Sequence, residues 1–206
     1  MKKSNVKLTL AGVIVLAACA APIEEPERAG FLSDYSKLEL IEDDHLSYVG
    51  DRMGEYDRFI IDPIVVLFQR DPENPTFSDE EIEKLKAYVV RELTEQLTRD
   101  DGYSVVTEPG PGVARLHIGL TEVEETIGVL NLSIYTKITG LGLGGASAEG
   151  EMVDSVTGEQ IAAMVRWGTG SRVLKAGLTP TGDAKIAIDK WAKHVRKLLD
   201  EQHNKP

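Results

Sequence analysis

Two amphipathic stretches with strand-like runs between them limit this chain to few architectures. In "FSDEEIEKLKAYVVRELTEQL", Ile82, Leu85, Val89, Leu93 and Leu97 recur at helical spacing and form one apolar face. Ser78 stands as N-cap with Glu81 three residues on, a capping box, and Phe77 is placed to staple onto Ile82. From Asp183 to about Glu201, Ala187, Ile188, Trp191, Val195, Leu198 and Leu199 form a second apolar face. A helix with one apolar face must lay it on another layer, and the runs between these two are of strand type.

Those runs come in a definite order. "RFIIDPIVVLF" (58–68) is nearly continuous β-branched and aromatic sequence, the pattern of a strand buried on both faces, although Pro63 lacks the N–H that a central strand needs. "YSVVTE" predicts a short strand, and "PGPG" (109–112) a turn. In "VARLHIGLTEVEE", Leu116, Ile118 and Leu120 point one way and Arg115, His117 and Thr121 the other. "GASAEGEMVDSVTGEQIAAMVRW" predicts a hairpin whose tip uses Gly158 for a positive φ. Residues 31–59 show scattered aromatics without a clear period. The expected fold is α+β, a mixed and mostly antiparallel sheet of about five strands with two amphipathic helices packed on one face. Phe59, Phe68, Tyr88, Trp167 and Trp191 are expected in the core, whereas Tyr35, Tyr48 and Tyr135 are expected either at contacts or over an edge.

The N-terminus carries a different message. "MKKSNVKLTLAGVIVLAAC" has a lysine-rich start, an apolar run from Leu8 to Ala18, and small residues before Cys19, the single cysteine. These are the parts of a secretory signal, and the apolar run is shorter than the roughly 20 residues that span a bilayer. "LAAC" resembles the bacterial lipobox, in which the cysteine is acylated and becomes the new N-terminus. Cys19 is therefore expected to be a lipid attachment point, and residues 1–18 a lipoprotein signal peptide. Each buried CH₂ contributes about 0.8 kcal/mol, so several acyl chains anchor almost irreversibly. Ala20, where aspartate would favour inner-membrane retention, favours the outer membrane.

Residues 19–30, with two prolines and three acids, are expected to form the lipidated cysteine and a solvated tether, ahead of a single periplasmic domain over 31–206. The 188 residues from Cys19 onward carry 20 Lys plus Arg against 34 Asp plus Glu. This acidity argues against nucleic acid, whose phosphates need clustered basic residues. Without a second cysteine, the fold has to rest on its apolar core.

"GFLSDYSKLE", "YDRFIIDPIVV", "PGPGVARLHIGLTEVE", "GGASAEGEMVDSVTGEQIAA" and "GDAKIAIDKWAKHVRKLLD", in that order, resemble the bacterial lipoprotein family catalogued as domain of unknown function 3313, chiefly Gram-negative. The likeness runs from about Gly30 to Asp200 and contains no catalytic motif. It implies a cell-envelope location and a fold, and supplies no functional residues.

No motif requires catalysis, a metal or a cofactor. "GLGLGG" (140–145) precedes a strand rather than opening a helix, and so fits a hinge better than a phosphate cradle. "GASAEG" around Ser147 misses the nucleophile elbow because Glu149 stands where the second glycine belongs. "EDDH" (42–45) reads as a solvated turn. Three functions are weighed. The preferred one is a non-enzymatic interaction or accessory component of the envelope, anchored through Cys19 on the periplasmic face of the outer membrane. Its protein partner would be met through the apolar insertion 126–145, with Leu130 and Tyr135 as contacts. The alternative is a small-ligand-binding lipoprotein with a pocket between that insertion and the strand face near His117. The third is a hydrolase that would have to assemble Ser147, His117 and an acid such as Glu149.

Overall fold

The computed structural model describes residues 28–42, 45–67, 78–124, 145–169 and 182–205. Its strands are β1 (Glu39–Glu42), β2 (His45–Val49), β3 (Arg58–Ile61), β4 (Val65–Val66), β5 (Ser104–Val105), β6 (Val113–Glu124), β7 (Gly145–Asp154) and β8 (Gln160–Thr169). Helix α1 (Asp79–Thr98) lies between β4 and β5, and α2 (Gly182–Gln202) closes the chain. The strands form one sheet of eight in the order β1-β2-β8-β7-β6-β3-β5, with β4 also on β6. The pairs from β1 across to β6 are antiparallel, whereas β3 and β4 lie parallel to β6 and β5 lies parallel to β3. The α+β class therefore stands, with eight strands among the described residues where about five were expected.

The extra strands have local causes. "RFIIDPIVVLF" divides in two: β3 pairs with Arg58–Ile61 against 113–116, and β4 with Val65–Val66 against 119–120. The break falls at Asp62–Ile64, because Pro63 cannot donate to the ladder. β1 and β2 come from the stretch without a clear period, and β2 is held from a distance, His45–Val49 pairing antiparallel with Ala162–Arg166 of β8.

The predicted helix start is present in full. Ser78 Oγ accepts from Glu81 N at 3.3 Å and Ser78 N donates to Glu81 Oε2 at 2.9 Å; Phe77 lies outside the described residues. Ile82, Leu85, Val89, Leu93 and Leu97 are all buried, as are Ala187, Ile188, Trp191 and Leu199 of α2. Both helices lie on one face of the sheet, against Ile64, Phe59, Ala114, Leu116, Leu120, Ala148 and Met152. At the β7–β8 turn Gly158 has φ +74°, and Asp154 accepts from Val156 N at 2.9 Å and Thr157 N at 2.7 Å. Those bonds, with one from Tyr56, bring the Asp154 carboxyl down to about 2.

Candidate functional site

Side chains alternate across a strand, so if Ala148 and Met152 of β7 face the helices, Glu149 and Glu151 face the other way. An alternating acid would ordinarily be solvated there. Instead Glu149 is 1% and Glu151 7% exposed. What covers them is residues 29–38, a strap laid across the sheet on the side opposite the helices. Phe31, Leu32, Tyr35 and Leu38 pack there against Leu46, Ala163 and Val165. The approach is close: a Cβ at Gly119 would stand 2.8 Å from Leu67 Cδ1 and 3.1 Å from Phe31 Cγ, so any larger residue would have to push the Leu67 and Phe31 side chains aside.

A buried carboxylate is tolerated only when its oxygens are satisfied. The strap supplies the donors. Ala29 N donates to Glu149 Oε1 at 2.6 Å, Phe31 N to Oε2 at 3.2 Å, and the Tyr35 hydroxyl donates to the same Oε2. That hydroxyl also accepts from Phe31 N at 2.7 Å and Leu32 N at 3.1 Å. Burial, and then the hydrogen bond to Glu149, raise the Tyr35 hydroxyl above its ordinary pKa. The described contacts with the sheet thus include Ala29, inside the stretch expected to be tether.

Glu151 continues the network. Its Oε2 accepts from Ser33 N at 2.9 Å, Ser33 Oγ at 2.7 Å and Gln160 Nε2 at 2.9 Å, while Oε1 lies 3.2 Å from His117 Nδ1. Burial pushes this carboxyl up, but the bonds from Gln160, Ser33 and His117 outweigh it and leave it below the usual glutamate value. On its far side His117 Nε2 stands 2.9 Å from Asp62 Oδ2, and Arg115 Nη1 donates to Asp62 Oδ1 at 2.7 Å. The strap is thus tied through β7 and β6 to the loop between β3 and β4.

Of the residues weighed for hydrolysis, the structure brings His117 to Glu151 and leaves Ser147 elsewhere. Ser147 pairs with Glu122 and Trp167, whereas His117 pairs with Glu151. Ser147 and Glu151 are four strand positions apart, about 13 Å at roughly 3.3 Å per residue. Ser147 also sits mid-strand rather than at a strand-to-helix turn. The strand face at His117 carries the strap network, and the insertion that would form the other wall of the expected pocket lies outside the described residues. His45 is buried on β2, its ring 5.0 Å from that of His194. Cys19, Leu130 and Tyr135 lie outside the described residues. So does most of the 126–145 insertion; its flanking strands pair at Glu124 and Gly145.

Among the described residues no helix is long and apolar enough to cross a membrane. Sequence reasoning passed over Ser33, Asp62, Glu151 and Gln160. The available signal was that "SAEGEMV" puts two acids on the same strand face as Val153, which is an unusual neighbour for a solvated face.

The molecule is a two-layer α+β sandwich with its bare sheet face closed by an N-terminal strap. The chain belongs to the family of proteins of unknown function DUF3313, whose pattern matches residues 27–195. No curated protein matches it. Similar solved structures include a PelC dodecamer from Paraburkholderia phytofirmans, 12% identical with TM-score 0.46, over 74% of this chain and 95% of that one. A DUF330 protein from Xanthomonas campestris is 10% identical with TM-score 0.37, over 70% and 88%. A protein described as a neuraminyllactose-binding hemagglutinin homolog from Helicobacter pylori is 16% identical with TM-score 0.40, over 73% and 88%. None of the three assigns an activity to this chain.

Proposed function

We propose that this protein is a lipoprotein of the Gram-negative outer membrane, anchored at Cys19 on the periplasmic face, where it serves as a non-enzymatic interaction or accessory component of the envelope. The observation that carries this reading is the short distance in sequence from the "LAAC" acylation motif to Ala29, which is bonded to Glu149 of the sheet. Ten residues of extended chain reach at most about 35 Å. A lipid at Cys19 would hold the domain within that distance of the membrane, and the strap would carry any pull on the tether directly into the central strand β7. Ala20 supports sorting to the outer membrane. The insertion, with Leu130 and Tyr135, is the proposed meeting point with an envelope protein.

Metabolic labelling with an alkyne fatty acid, followed by separation of the inner and outer membranes, tests the anchor. Wild type is expected to carry label and sediment with the outer membrane, whereas Cys19→Ser carries none. An unlabelled wild type sinks the anchor. A photo-reactive residue at 130 or 135 tests the partner: one recurrent envelope protein supports the accessory role, and self-crosslinks alone overturn it.

A further inference from the structure

A short tether brings one face of a domain to its anchor more readily than the others. Ala29 N and Phe31 N are both bonded to the Glu149 carboxylate, so the segment that leads from Cys19 meets the domain over β7, on the strap face. On that face β8, β2 and β1 lie to one side of β7, and β6 and β4 to the other. The helices cover the opposite face.

Exposed apolar side chains are placed unevenly with respect to these two faces. Among the described residues six large ones are exposed: Leu40, Ile41, Val65, Leu67, Val105 and Val156. Scattered singly, such residues need no explanation. Three of them, however, share the strap face. Leu40 pairs with Leu46, which packs under the strap. Val65 pairs with Gly119, the glycine beneath Phe31, and Leu67, two positions on, lies beside the same glycine. Leu40 and Val65 thus flank the strap, five strand spacings or about 24 Å apart.

Between them the surface is aromatic and nearly neutral. Phe31, Tyr35 and Tyr48 are half-buried, with Arg28 over the Tyr35 ring at 5.7 Å and Lys37 over the Tyr48 ring at 5.0 Å. Asp34 and Glu39 balance those two bases, in a chain of net charge −11. Tyrosine rings with long basic side chains suit the level of lipid headgroups, and a balanced surface is not repelled by phosphates. Charge alone does not select this face, since α2 carries five Lys plus Arg against four acids. The tether does select it.

We infer that the strap face rests on the phospholipid surface that holds the anchor, with Leu40 on one side of the strap and Val65 and Leu67 on the other seated among the headgroups. The inference rests on the proposed acylation of Cys19. Three apolar side chains are too few to hold a free domain on a bilayer. The anchor makes their contact intramolecular and so raises its effective concentration. The acidic helix α1 then faces away from the membrane.

The test uses the full-length protein, purified from membranes and placed in phospholipid vesicles, with acylation read from its mass. A spin label is attached through Leu40→Cys, Val65→Cys or Lys84→Cys, the last on the exposed side of α1. In the acylated chain the Cys19 sulfur is a thioether and takes no label. Collisions with oxygen, which concentrates in lipid, are compared with collisions with a water-soluble nickel chelate. Labels at 40 and 65 are expected to favour oxygen, and the label at 84 nickel. Adding Val65→Glu and Leu67→Glu should shift the label at 40 toward nickel without lowering Tm, because both side chains are exposed. An unshifted label overturns the part given to Val65 and Leu67. Nickel contact at 40 and 65 in an acylated chain overturns the resting face and leaves the anchor standing. Shielding of both labels from both reagents means that a protein, a partner or a second copy, covers the face, and overturns the lipid assignment. Lipid contact at 84 instead puts the helices on the bilayer and overturns it too. An unacylated chain removes the anchor and the inference with it.

Discussion

The two faces of the sheet are closed by opposite means. On one, two helices bury Leu85, Val89, Leu97, Ile188 and Leu199 in a continuous apolar layer. On the other, one short strap is fastened by hydrogen bonds to two buried carboxylates, with a small apolar cluster beside them. Apolar burial is non-directional and tolerates small displacements, whereas a carboxylate with three donors accepts one geometry. The helix face should therefore set the stability of the whole fold, and the strap face should set where the N-terminal segment lies.

The largest expected effect tests the first half of that comparison. Leu97 is fully buried between α1 and the sheet, and Leu97→Ala should lower unfolding stability by about 2–5 kcal/mol in urea, with one cooperative transition. A loss below that range would mean that the helix layer yields around the hole. Next, Glu149→Ala leaves Ala29 N, Phe31 N and the Tyr35 hydroxyl without their acceptor, at about 1–3 kcal/mol. The strap can return those groups to water, so the change should appear mainly as faster hydrogen exchange at Ala29 and Phe31 while the amides of α1 stay protected. Global destabilisation as large as that of Leu97→Ala would erase the distinction between the faces. Ser78→Ala removes the α1 N-cap and should cost about 1 kcal/mol, read from the urea midpoint.

The smallest effect is one of pH and sharpens the comparison further. Glu151 has a folded pKa below its unfolded one, so its contribution is fully present above the ordinary glutamate value. It is lost as pH falls through the lowered folded value. Protection at Ser33 N should follow that acid limb, and protection in α1 should not. Parallel loss in both places would show that the strap and helix layers unfold together.

Legibility divides along the same line. The capping box at Ser78, the five-residue face of α1, the apolar face of α2 and the Gly158 turn each depend on neighbours within a few positions, and each could be seen in sequence. β2 and the strap could not, because what orders them lies about 120 positions away, and β1 depends on β2 in turn. Residues 31–49 lack a clean period since Phe31, Leu32, Tyr35, Leu38 and Leu46 serve one small cluster from an irregular strap and a strand together. Glu149 was noticed only as a misfit to a nucleophile motif and as a candidate acid for a hydrolase. Its partners are two backbone amides and a tyrosine, and backbone donors carry no sequence signal.

Ala29 meets Glu149 across a sequence separation of 120, and that span carries a consequence in time. Contacts this distant form only after the intervening chain has been ordered, so the strap has no seat until β7 lies between β6 and β8. The first part of the domain to be synthesised is then the last to settle. Through that interval the N-terminal segment stays a loose leader, open to whatever machinery handles it, and the shut strap becomes a mark that the rest of the chain has arrived.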